Sequence, residues 1–133
     1  MGIYNNAGDG TVTHSRISDT SAGFTHTAKI VTSSATATPG HGGFISSTKS
    51  QAGQTFIHCF RAKIPVGYSV EKYNNAVGTN SKFTWLTGKQ GTGQWENYAY
   101  KLECGTEGSF SNFGHVALIE KGSVPVTWYL GGT

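Results

Sequence analysis

The residues of this 133-residue chain that could carry acid–base, metal or thiol chemistry are seven Asp/Glu, five His and two Cys. Glycoside hydrolysis needs two carboxyl groups facing one cleft. The best-placed pair, Glu96 and Glu103, lies in one strand-like run. Their odd spacing sends the two side chains to opposite faces of a strand. Ser, His and Asp residues occur singly, and no Gly-x-Ser-x-Gly elbow accompanies them. His14, His26, His41, His58 and His115 form no H-x-H or H-x3-H pair, and the cysteines form no C-x2-C, so no zinc site is legible. His26 and His58 read as partly buried strand residues bonded to their neighbours. The sequence predicts a protein without catalytic machinery.

Two further sites have alternative readings. Cys59 and Cys104 both fall in strand patterns. A bridge between them would add about 3–4 kcal/mol through loop closure. The favoured expectation is two reduced, buried thiols behaving as small apolar groups. Asn6, Asp9, Asp19 and Glu120 supply hard oxygens of the kind that hold a structural calcium in small β-proteins, although no D-x-D-x-D-G loop is present. The competing role for Asp9 is an Asx-turn ahead of Gly10.

Aromatic side chains offer binding chemistry. Trp95 follows a glycine-rich loop and reads as a core staple, and Trp128 shares a strand face with Val124, Val126 and Leu130. Trp85 and Tyr73 instead border the polar segments Asn80-Ser81-Lys82 and Tyr73-Asn74-Asn75. A ring that stacks on the C–H face of a sugar, flanked by amide and ammonium groups that bond its hydroxyls, is a carbohydrate platform. The candidate ligand-binding residues are therefore Trp85, Tyr73, Asn74, Asn75 and Lys82, the alternative for Trp85 being burial.

The elements that must hold these residues are strands. Charged residues are only 13% of the chain, while Gly contributes 19 positions, Thr 17 and Ser 13. Sixteen aromatics supply enough burial for one ordered domain spanning residues 1–133. Strands are expected over residues 11–17, 24–33, 54–64, 82–86, 95–104, 113–120 and 124–130, with shorter ones near 44–46 and 68–73. The clearest runs from Gln54 to Ile64, where Phe56, His58, Phe60, Ala62 and Ile64 alternate with Ile57, Cys59, Arg61 and Lys63. Eight or nine short strands in one domain predict an all-β fold, a two-sheet antiparallel β-sandwich of jelly-roll type.

The net charge of +3 is scattered, with no basic cluster beyond Arg61-Ala62-Lys63, which argues against nucleic acid as partner. No apolar run is long enough for membrane insertion. Met1 to Asn6 has neither the basic nor the apolar region of a signal peptide. Both ends read as cut points in a longer chain.

Several motifs bear a resemblance. They are Pro39-Gly40-His41-Gly42-Gly43-Phe44, Ala62-Lys63-Ile64-Pro65-Val66-Gly67-Tyr68, and Trp85-Leu86-Thr87 followed by Gly91-Thr92-Gly93-Gln94-Trp95-Glu96-Asn97-Tyr98. With them goes Cys104-Gly105-Thr106-Glu107-Gly108-Ser109-Phe110-Ser111, followed by Gly114-His115-Val116-Ala117-Leu118. Together they resemble the jelly-roll, carbohydrate-binding-module-like domains of phage tail fibre and tail spike proteins, over about residues 5–130. The resemblance implies a non-catalytic module on a virion, made in the host cytoplasm and touching bacterial surface glycan. It also implies a structural calcium and contact with other copies of the fibre chain. The alternative expectation is a structural or oligomerisation domain of the fibre with no glycan ligand.

Overall fold

The computed structural model describes residues 2–4, 12–32, 43–45, 47–48, 52–71, 80–105, 113–114, 118–120 and 126–131. Every regular element among them is a strand. In chain order these are β1 (Gly2–Tyr4), β2 (Val12–Ile17), β3 (Thr27–Thr32), β4 (Gly43–Ile45), β5 (Ser47–Thr48) and β6 (Thr55–Lys63). There follow β7 (Ser69–Glu71), β8 (Lys82–Trp85), β9 (Trp95–Glu103), β10 (Phe113–Gly114), β11 (Leu118–Glu120) and β12 (Val126–Gly131). Six of them form one sheet in the order β2-β3-β12-β6-β9-β8, with every neighbouring pair antiparallel. Three two-stranded pairs accompany it: β1 with β4, β10 with β5, and β11 with β7.

The alternation read in the Gln54–Ile64 run becomes the two faces of this sheet. β6 and β9 pair along their full length, from Thr55 opposite Glu103 to Lys63 opposite Trp95. That register places Phe56 beside Leu102, His58 beside Tyr100, and Phe60 beside Tyr98 on one face. β8 extends the same face with Phe83 beside Leu102 and Trp85 beside Tyr100. Trp128 and Leu130 of β12 meet Ile30 and Ala28 of β3 on it. Ile30, Ile64, Leu102 and Trp128 are fully buried, and burial of each aliphatic side chain contributes about 1.5–3 kcal/mol. The rings interlock: Phe60 stacks on Tyr98 at 5.5 Å, and Trp85 meets Tyr100 edge-on at 5.3 Å. β7 lies outside the six-stranded sheet, yet its Val70 is fully buried in the same core.

The opposite face is polar and wetter. It carries Ile57, Cys59, Arg61 and Lys63 of β6, aligned with Lys101, Ala99, Asn97 and Trp95 of β9. Three expectations are corrected here. Trp95 is no core staple: it sits across from Lys63 on this outer face, donates its indole N–H to Ser21 Oγ at 2.7 Å, and leans toward Tyr129. Cys59 is exposed while Cys104 is buried, and the two thiols are free, because alternation turns them to opposite faces. The strand expected from Phe24 begins only at Thr27. A turn closed by Gly23 N–H donating to the Thr20 carbonyl precedes it, with Gly23 at a φ of 83°. Phe24 then lies across Gly131, where a Cβ would come within 2.9 Å of its ring.

The connection after β6 is a tight turn. Tyr68 N–H donates to the Pro65 carbonyl, and Gly67 takes the positive φ of 86° that this geometry assigns to its third position. The loop between β8 and β9 packs directly on it. A Cβ at Gly91 would fall 2.4 Å from the Pro65 carbonyl oxygen and 2.6 Å from that of Ile64. Gly91→Ala is therefore expected to destabilise the fold by about 1–3 kcal/mol, the usual range for overpacking, as a lowered urea midpoint at unchanged m-value.

Candidate functional site

The loop from Leu86 to Gln94 is held almost entirely by backbone. Leu86 N–H donates to Ala99 O at 2.8 Å, Val70 N–H to Lys89 O at 2.9 Å, Gly91 N–H to Tyr68 O at 2.7 Å, and Gly93 N–H to Ile64 O at 2.8 Å. Ser69 and Gln90 form an antiparallel bridge. The loop thus stitches the β8–β9 hairpin to the segment that enters β7. Side-chain bonds complete it: Ala99 N–H donates to Thr87 Oγ1 at 3.0 Å, and Gln94 N–H to Thr92 Oγ1 at 3.3 Å.

Between this loop and the start of β9 lies an open groove of about 470 Å³, lined by Thr87, Gly88, Gln90, Thr92, Glu96, Asn97 and Tyr98. Its side chains offer hydroxyl, amide, carboxylate and phenol groups, set in a lining whose exposed surface is more apolar than polar. The Tyr98 hydroxyl donates to Glu96 Oε2 at 3.2 Å. Burial foremost, then the charge and hydrogen bond of Glu96, push the Tyr98 hydroxyl well above its ordinary pKa. Tyr98 therefore keeps its proton at neutral pH and serves as a hydrogen-bond donor to the Glu96 carboxylate. Gln90, Thr92 and Asn97 are exposed. The arrangement is suited to exchanging hydrogen bonds with a polyhydroxylated ligand.

The residues singled out in the sequence do not build this site. Trp85 is partly buried, edge-on to Tyr100 at 5.3 Å and to Phe60 at 6.5 Å. Its Nε1 is sealed from solvent and has no hydrogen-bond partner among the described residues. Lys82 is exposed but, three residues earlier in β8, belongs to the opposite face, beside Glu103. Trp85 and Lys82 therefore stand on opposite faces of β8. Tyr73, Asn74 and Asn75 lie outside the described residues. Glu96 and Glu103 do fall on opposite faces, one aligned with Ala62 and the other with Thr55.

The lining residues were visible in sequence only as a glycine-rich loop and a strand entry. The alternation of β9 did signal that Glu96 and Tyr98 share a side. The docking of the loop on residues 64–70, which shapes the groove, has no local signature.

The calcium expectation finds no ligand set among the described residues, where no three of His, Cys, Asp or Glu converge. Asp19 Oδ1 accepts from Ser21 N–H at 2.9 Å in an Asx-turn, Glu120 lies on β11, and Asn6 and Asp9 are outside the described residues. No protein-family model, curated protein or solved structure matches the chain.

One histidine is embedded in the aromatic face beside the site. His58 lies 5.3 Å from the ring of Tyr100 and 5.7 Å from that of Phe60. Burial lowers its pKa from the ordinary 6.5 to about 4. Between those values the unfolded chain binds a proton that the native chain does not, so the native state loses stability as pH falls through that window. The urea midpoint is expected to decline from pH 6.5 toward pH 4. In His58→Phe that component of the decline should disappear, leaving the part due to carboxylates.

Proposed function

We propose that this protein is a non-catalytic carbohydrate-binding module of a phage tail fibre or spike that contacts bacterial surface glycan during host recognition. The observation that carries the reading is the groove between Thr87, Gln90 and Thr92 of a loop fixed by backbone hydrogen bonds and Glu96, Asn97 and Tyr98 of β9. Such a groove meets sugar hydroxyls with donors and acceptors already in place, which limits the ordering cost of binding. The sequence resemblance to tail fibre and spike domains supplies the setting.

The proposed architecture is a two-layer jelly roll. Its first layer is the six-stranded sheet with its apolar face. Burial of Val70 in that face supports a second layer that includes β7 and its partner β11. Single-site affinity should be weak, millimolar to micromolar, or about −4 to −8 kcal/mol. Several copies on a fibre would multiply it. The test is titration of the purified protein with cell-wall and capsular oligosaccharides. The Gln90→Ala/Asn97→Ala double variant, altered only at exposed side chains, should bind about tenfold more weakly at unchanged stability. Wild-type affinity in that variant would remove the groove from the site.

A second reading, a structural domain joining copies of the chain, is favoured by one observation. The outer face exposes Ile57 at 65% and Leu86 at 49%, with Ala99 and Cys59 aligned between them. Under it, light scattering should give a stable trimer that Ile57→Asp dissociates. A wild-type monomer at high concentration would dismiss it.

A further inference from the structure

We propose that the groove prefers an amino sugar carrying a free ammonium over neutral and anionic saccharides, an inference that rests on the glycan-binding reading and names the ligand class for the same site. Among the described residues that line it, Glu96 is the one charged group. Lys89 belongs to the same loop but is not part of the lining. The nearest cation along β9, Lys101, stands five positions beyond Glu96 and is paired with Glu103 at 3.1 Å. Arg61 of β6 stands opposite Asn97 and, like Lys101, is not part of the lining. The groove lining therefore holds one carboxylate and no cation among the described residues.

The direction of that carboxylate is set by Tyr98, which donates to Oε2. A phenol is a donor to Glu96, so the remaining acceptor positions of the carboxylate call for a second donor from the ligand. A hexose hydroxyl satisfies one with charge on the acceptor alone. An ammonium satisfies one with opposite charges on both partners, adding ion-pair attraction to the hydrogen bond. A uronate or other acidic sugar brings like charge to Glu96 and finds no cation in the lining to offset it. The order expected is amino sugar, then neutral sugar, then acidic sugar.

The probes are three oligosaccharides of equal length: a glucosamine trimer, its fully N-acetylated counterpart, and a galacturonate trimer. Titration is done at about pH 6, where a hexosamine amine is protonated. Wild-type protein should bind the glucosamine trimer about tenfold more tightly than the acetylated one, and the galacturonate trimer least. In Glu96→Gln, which keeps an acceptor for Tyr98, the ratio of glucosamine-trimer to acetylated-trimer affinity should fall to about one, whatever the change in absolute affinity. Glu103→Gln, a charge change on the opposite face, should leave the advantage intact. Equal binding of the glucosamine and acetylated trimers, or an advantage retained in Glu96→Gln, would overturn this inference and leave the glycan-binding reading standing. Loss of the advantage in Glu103→Gln would also overturn it, as a general charge effect. Binding of none of the three probes or of any cell-wall oligosaccharide would overturn both.

Discussion

The full-length pairing of β6 with β9 is the constraint on which the rest of the structure depends. It is the longest ladder among the described residues, and its alignment decides which side chains meet. A slip of one residue would turn Phe56, His58 and Phe60 to water and bring Ile57, Cys59 and Arg61 against the core. In the native register the aromatic residues of β6 lie against Leu102, Tyr100 and Tyr98, and β8 adds Phe83 and Trp85 at the edge. Their stacked and edge-on contacts resist a slip because Phe60, Trp85 and Tyr100 each meet more than one ring. The same ladder puts Glu96 and Tyr98 on one side at the start of β9, where the groove forms.

Much of the described sheet was legible in the sequence because alternation reports faces directly. The predicted strands over residues 54–64 and 95–104 match β6 and β9 within a residue at each end, and Val126, Trp128 and Leu130 are buried as their spacing implies. β5 and β1 went unread, since Ser47–Thr48 and Gly2–Tyr4 are too short to carry a period. Phe24 was mistaken for a strand residue because alternation does not reveal the turn at Gly23 that lifts it over Gly131. Trp95 was misassigned because a large aromatic after a glycine loop looks like a core anchor. Its indole N–H instead reaches Ser21, distant in sequence.

The site was less legible than the fold. Polar neighbours in sequence suggested that Trp85 faces water, but neighbours along a strand point to the other face. Lys82 illustrates this, standing with Glu103 while Trp85 stands with Tyr100. Half of the groove is a loop whose shape depends on contacts with Ile64, Tyr68 and Val70, and the rest is the start of β9. Those contacts are tertiary, and only Gly91, which must allow carbonyl oxygens to approach, leaves a trace of them in the residue types.

The anchoring of this loop separates two jobs that proteins often give to the same atoms. Its main attachments, at Leu86, Lys89, Gly91 and Gly93, run through peptide groups. Gln90 and Asn97 can therefore be exchanged for other residues without loosening the scaffold beneath them. The chemistry of the groove is therefore open to change through a few codons, with folding insulated from the experiment.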